Sequence, residues 1–277
     1  MHHSVSARSL VCVLFALGLV CPVVLAAATQ EADVLTISVG DAVAKPQQPG
    51  LPLDVGIVVT TGVVNNSGTD MESSFRETEA KLVGTRMQRE LEAHEGWGVV
   101  RLFPEPSVIP QVTLELNVLI SDGAHLSIAV FGYDVSGRVL LDRTYNDVAL
   151  ESDYLGEGAD PFNDLFVRVH VDMLPALMTE APAIAVLKSV SFLRYAQALV
   201  PEAFSGYLSH REGRWYLTRL PSGQDPMGIR LKKLQEYELL FIDTIDEQIR
   251  SIEAEVGAAY SLWRRASKDQ LDWLELR

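Results

Sequence analysis

The stretch Gln111-Val112-Thr113-Leu114-Glu115-Leu116-Asn117-Val118-Leu119-Ile120-Ser121 decides how the chain is read. Val112, Leu114, Leu116, Val118 and Ile120 alternate with Thr113, Glu115, Asn117 and Leu119, the two-residue period of a strand with one buried and one wet face. Asp122-Gly123 follows at once. That pair supplies a hairpin turn, because glycine takes positive φ at low cost. Leu126, Ile128 and Val130 continue the apolar face on a return strand, and a second turn at Ser136-Gly137 leads into Val139, Leu141 and Tyr145. Residues 111–145 therefore predict a three-stranded antiparallel meander.

Before the meander, Val55, Ile57, Val58 and Val59 make a short buried strand beginning at Leu53, closed by the polar turn Asn65-Asn66-Ser67-Gly68. Phe75, Glu79, Leu82, Val83, Met87 and Leu91 then recur at helical spacing, predicting a helix from near Ser73 to Ala93. Gly96-Trp97-Gly98 ends it, with the tryptophan expected to pack back on the core. Val99–Phe103 reads as a second strand stopped by Pro104 and Pro106, and Asp164–Leu177 as a second helix. Strand, helix, strand, meander and helix together predict an α+β fold: a mixed, mostly antiparallel sheet with helices on one face.

The carboxy-terminal part is helical in character and contains one long helix. Pro182–Val200 is strongly apolar, a short turn follows to Leu208, and Trp215, Leu217 and Arg219 suit a short strand. Asp225-Pro226 is a strong helix start, with a carboxylate cap and proline in the first turn. The stripe Leu234, Tyr237, Phe241, Ile245, Ile249, Ile252, Val256, Tyr260 and Trp263 has a mean spacing of about 3.6, that of a straight helix. Uninterrupted to about Lys268, such a helix outruns a compact body of this size. The expectation is a break near Gly257 with the remainder folded back on Pro182–Val200. The other outcome is a projecting end that offers Tyr260, Trp263 and Trp273 to a partner.

At the amino terminus an apolar run from Leu10 to Ala28 follows Arg8 and ends on Ala26-Ala27-Ala28, the layout of a secretory leader. Both cysteines, Cys12 and Cys21, lie inside it, so cleavage leaves a cysteine-free product for an oxidising compartment. Retention of the run as an anchor and lipidation at Cys21, which Val20 precedes, are the alternatives. The division read from the sequence is a leader at 1–28, a Pro-rich tether at 29–52, an α+β domain at 53–180 and a helical region at 181–277. Formal net charge is −14, and leader removal takes away one basic residue and no acidic one. Such a surface is repelled by nucleic acid and by anionic headgroups.

Motifs that carry chemistry are sparse. Beyond the leader the histidines are His94, His125, His170 and His210, none three or four residues from another. No spacing of a zinc site is read among them, no serine sits in G-x-S-x-G, and no glycine-rich phosphate or dinucleotide loop occurs. No cofactor and no catalytic residue is predicted. Asp243, Asp246 and Glu247 put carboxylates on adjacent turns of the long helix, read as a solvated edge with Arg250 as counterion. The most unusual polar cluster is Arg214, Arg219, Asp225 and Arg230 around Trp215 and Pro221. It reads either as an anion-holding spot or as arginines tying a loop to the Asp225 cap.

Trp97-Gly98-Val99-Val100-Arg101, the stretch from Arg219-Leu220-Pro221 to Asp225-Pro226-Met227 and Arg230, and Phe241-Ile242-Asp243-Thr244 resemble a group of uncharacterised exported proteins of Gram-negative bacteria. The order of elements from Leu53 to Leu177 is similar to the envelope domain of TolB amino-terminal regions and CsgG-type or LpoB-type lipoproteins. That resemblance implies a non-catalytic periplasmic or outer-membrane-associated adaptor that binds other envelope proteins in assembly or transport. The candidate interaction residues are Trp215, Arg219, Asp225, Arg230, Tyr260 and Trp263. A periplasmic hydrolase or small-ligand binding protein for a cell-wall or polar substrate, with its site at the Arg219–Arg230 loop, is the alternative.

Overall fold

A computed structural model describes residues 52–61, 70–94, 96–154, 160–179 and 182–275. The leader, residues 29–51 of the tether and the polar turn at 65–68 lie outside these described residues.

Five strands form one mixed sheet in the order β2-β1-β3-β4-β5. Strand β1 (Leu53–Thr61) runs parallel to both neighbours, β2 (Trp97–Leu102) and β3 (Val112–Ser121). Helix α1 (Asp70–Glu92) is the crossover that a parallel β1–β2 pair requires. The meander predicted from 111–145 is present as β3, β4 (His125–Asp134) and β5 (Val139–Val148), each antiparallel to the next. Helices α2 (Asn163–Met178), α3 (Ile184–Leu199) and the single turn α4 (Pro201–Phe204) follow. A small hairpin, β6 (Leu208–Arg211) with β7 (Arg214–Leu217), precedes α5 (Pro226–Glu275).

The alternation read from the sequence builds the core. Val55 and Ile57 of β1, Leu114 and Leu116 of β3, and Leu126, Ile128 and Val130 of β4 pack with Val83, Met87 and Leu91 of α1. Phe166, Val169 and Met173 of α2, with Leu187, Val190 and Leu193 of α3, belong to the same cluster. Each such side chain contributes about 1.5–3 kcal/mol by leaving water. Because successive strand residues point to opposite faces, Val58 turns away from Ile57, and it meets Phe103 and Ile242 of α5 in a second, small cluster.

Two expectations are corrected. The alternation of β3 places Ile120 with the buried set, yet Ile120 is 50% exposed. The register against β4 shifts between Val118 and Ile120, and a one-residue slip sends a side chain to the other face. The long helix does not break at Gly257: α5 is continuous over 50 residues, about 75 Å at 1.5 Å per residue. A mid-helix glycine costs only about 1 kcal/mol. Contacts of α5 to α1 on either side of it, Glu253 with Arg89 and Tyr260 with Glu79, hold the helix through that point. Among the described residues no helix is long and apolar enough to cross a membrane.

Candidate functional site

Helix α5 begins where the sequence places it. The Asp225 carboxylate accepts from the Met227 N–H at 3.1 Å, satisfying one of the orphan donors of the first turn. From there the docked side of the helix is largely polar. Arg101 of β2 grips Asp243 with two guanidinium nitrogens. Gln88 of α1 donates to Asp246 at 2.7 Å, and Arg250 stands 3.4 Å from the same carboxylate. Arg89 binds both oxygens of Glu253 at 3.0 Å, and Tyr260 donates to Glu79 at 2.5 Å. Arg264, 2% exposed, donates to the Tyr260 hydroxyl at 2.9 Å and to Ser121 at 3.1 Å, with its guanidinium over the Phe162 ring. Burial pushes the Tyr260 hydroxyl well above the usual phenol range, and the neighbouring Glu79 carboxylate adds to the rise against the pull of Arg264.

The apolar stripe has the period expected but only part of the facing expected. Leu231, Ile242, Asp246, Tyr260 and Arg264 are buried, whereas Leu234, Tyr237, Phe241, Ile252 and Val256 are exposed. Ile249 and Tyr260 of the stripe face inward, so the exposed part of it is turned about a quarter of a revolution from the docked face at 100° per residue. Phe241 is 65% exposed and Tyr237 60%, beside an exposed Leu240.

The other candidate interaction residues are scattered. Tyr260 faces inward at 7% exposure and stacks on the partly exposed Trp263 with ring centroids 5.7 Å apart. Trp215 is packed against the core, its backbone N–H donating to the Ser136 carbonyl at 2.7 Å and Arg194 over its ring. The Arg219 guanidinium lies over the Tyr207 ring at 4.6 Å. Among the described residues no ion pair joins Arg214, Arg219 or Arg230 to Asp225, whose carboxylate caps α5. A shallow depression beside the β6–β7 hairpin is lined by Ser209, Arg211, Glu212, Tyr216, Leu217 and Thr218. The solvated edge expected of these carboxylates is corrected: Asp246 is buried, with Arg250 3.4 Å away, and Asp243 pairs with Arg101 instead of Arg250.

Sequence reading missed one cluster. Glu90 stands in the last turn of α1 and His94 two residues past its end, and α2 brings His170 against them. The Glu90 Oε1 atom is 3.3 Å from His94 Nδ1 and 3.4 Å from His170 Nδ1. Trp97, at the start of β2, donates its indole N–H to His170 Nε2 at 3.2 Å. An indole nitrogen is only a donor, so His170 accepts at Nε2 and carries its proton at Nδ1, toward Glu90. The rings of His94 and His170 meet edge-on at 4.5 Å. The expectation that no carboxylate stands at zinc-site spacing from these histidines is corrected: Glu90 and His94, four residues apart, stand together with His170. No local spacing shows the His170 half, which lies 80 residues from Glu90.

No protein-family model matches the chain, and no curated protein matches it. Among solved structures it is similar to a PelC dodecamer subunit from Paraburkholderia phytofirmans at TM-score 0.30 and 12% identity, over 47% of this chain and 94% of that one. It is also similar to the hypothetical protein CT253 from Chlamydia trachomatis at TM-score 0.26 and 9% identity, over 46% of this chain and 97% of that one.

Proposed function

We propose that the protein is exported and serves, without catalysis of its own, as an adaptor that binds other envelope proteins in assembly or transport. The observation that supports this reading is the outer face of α5. Leu234, Tyr237 and Phe241 stand at i, i+3 and i+7 on a continuous helix, with Leu240 beside them, all exposed. That is the anchor spacing of a helix received by an apolar groove on a partner. Aromatic anchors of this kind carry most of the energy where a few residues dominate an interface. The leader supports export, and the acidic surface selects against nucleic acid and anionic lipid as partners.

The test pairs capture with substitution. The chain carrying a carboxy-terminal tag is purified from native envelopes beside the variant Tyr237→Glu/Phe241→Glu, and the intact mass of each product is measured. A mass beginning near Ala28 or Thr29, together with a stoichiometric partner that the variant loses at unchanged melting temperature, is the expected outcome. A cytoplasmic, uncleaved product, or a partner held equally by the variant, overturns the reading.

A further inference from the structure

We propose that Glu90, His94 and His170 form a binding site for one divalent transition-metal ion, with Zn2+ the best match, and that filling it releases the indole of Trp97. The spacing of the donors carries this inference. Contacts of 3.3 and 3.4 Å from Glu90 Oε1 to the two imidazole nitrogens are longer than ordinary N–H···O bonds. His94 Nδ1 in this form bonds the Glu90 backbone carbonyl at 2.9 Å, a bond that a metal at that nitrogen replaces. Zinc held tetrahedrally at about 2.0–2.1 Å from each donor separates neighbouring donors by about 3.3–3.4 Å. All three donor atoms lie within 4.8 Å of one another.

Burial and charge agree with that geometry. The side chains of Glu90 and His170 are 8% and 5% exposed, while that of His94 is 49% exposed. The nearly buried pair fixes two ligands, and the exposed one leaves a path from solvent and room for water in the fourth position. Among the described residues Glu90 is paired with no lysine or arginine, only with the two histidines. A carboxylate withdrawn from water with no lysine or arginine beside it is costly, and a bound cation offsets that cost. Two imidazoles and one carboxylate suit Zn2+, with Co2+, Ni2+ and Cu2+ following the same donor set.

Trp97 makes the site two-state. In the hydrogen-bonded form its N–H donates to His170 Nε2, which keeps the imidazole proton at Nδ1. A metal at Nδ1 displaces that proton, and the neutral ring then carries it at Nε2, facing the indole N–H. Two donors do not share a bond, so the indole turns away when the metal enters. The bond to Trp97 therefore competes with the metal, and its removal tightens binding.

The experiment uses the full chain without an affinity tag, stripped by chelation, then titrated with Zn2+ by calorimetry and with Co2+ by visible absorption, while tryptophan emission is followed. Wild type is expected to take one equivalent that His94→Ala loses, and Glu90→Gln to weaken it by more than about tenfold. Trp97→Phe is expected to abolish the emission change while binding Zn2+ several-fold more tightly, an effect that a merely structural role for the indole does not produce. His94 is half-exposed, so its variant folds, and circular dichroism checks this. Ions taken up by the leader's His2, His3, Cys12 and Cys21 survive His94→Ala and are thereby separated. Equal uptake by wild type and His94→Ala, or binding without any change in emission, overturns the proposal.

Discussion

The hydroxyl of Tyr260, on α5, donates to the carboxylate of Glu79, on α1, at 2.5 Å, and accepts from Arg264 one turn further along at 2.9 Å. Glu79 and Arg264 are both buried, 3.8 Å apart at their nearest charged atoms. Removing one partner of a buried pair leaves the other charge unmatched, at a cost of about 3–5 kcal/mol. Tyr260→Phe keeps both charges and removes one hydroxyl, so its cost is nearer the 1–3 kcal/mol of an unsatisfied buried group, about. Glu79→Ala is therefore expected to lower the urea midpoint clearly more than Tyr260→Phe; the reverse order denies the Glu79–Arg264 pair its role.

Alkali is expected to unfold this protein through its tyrosines. Burial and the Glu238 carboxylate push the Tyr195 hydroxyl up to about 12, and burial with Glu115 does the same for Tyr133. Tyr260 is raised as well. In each case the folded state favours the neutral phenol, so the unfolded chain loses that proton first, near the ordinary value of 10.0. The stability these groups contribute is complete below about pH 10 and is lost as pH rises through the folded values. Denaturation midpoints measured from pH 8 to 12, about, should fall only above 10, and less steeply in Tyr260→Phe. A flat profile contradicts this.

What was legible in the sequence was whatever local pattern determines. The meander follows from alternation within single strands and from Asp122-Gly123, and the start of α5 from Asp225-Pro226, all signals contained in a few residues. The period of α5 was legible too. Its facing was legible only in part: Ile249 and Tyr260 of the stripe face inward, but the helix also docks through Asp246, whose partner Gln88 is 158 residues away. Apolar periodicity finds the apolar side of a helix, and here only one edge of that side is docked. The Gly257 break failed for a related reason: a propensity penalty of about 1 kcal/mol is outweighed by contacts that only the folded chain brings together.

Two adjacent residues test that facing directly. Ile242 is buried between Val58 and Phe103, while Phe241 points outward. Ile242→Ala empties a packed site and is expected to cost about 2–4 kcal/mol. Phe241→Ala, although the larger truncation, should change stability by less than about 0.5 kcal/mol. Chemical denaturation of the two variants decides it, and a larger loss from Phe241 shows that the helix is turned the other way.

Gly123 offers a test of where the far part of α5 sits. At φ +90 it occupies the left-handed region, and a Cβ there would lie 2.5 Å from the Arg264 carbonyl oxygen and 3.1 Å from Ser267. Gly213, at φ +78, is strained in the same sense but has open space around it. Gly213→Ala therefore reports backbone strain alone, about 1–3 kcal/mol, while Gly123→Ala adds a clash with helix backbone that no rotamer relieves. The hairpin cannot yield easily, because the Tyr154 hydroxyl bonds the Gly123 carbonyl at 2.7 Å. The helix has to move instead. Hydrogen exchange in Gly123→Ala is expected to rise from about Tyr260 onward and to stay unchanged around Ile242, with Gly213→Ala leaving both unaltered. Exchange that rises equally along all of α5 contradicts the separate anchoring of its two halves.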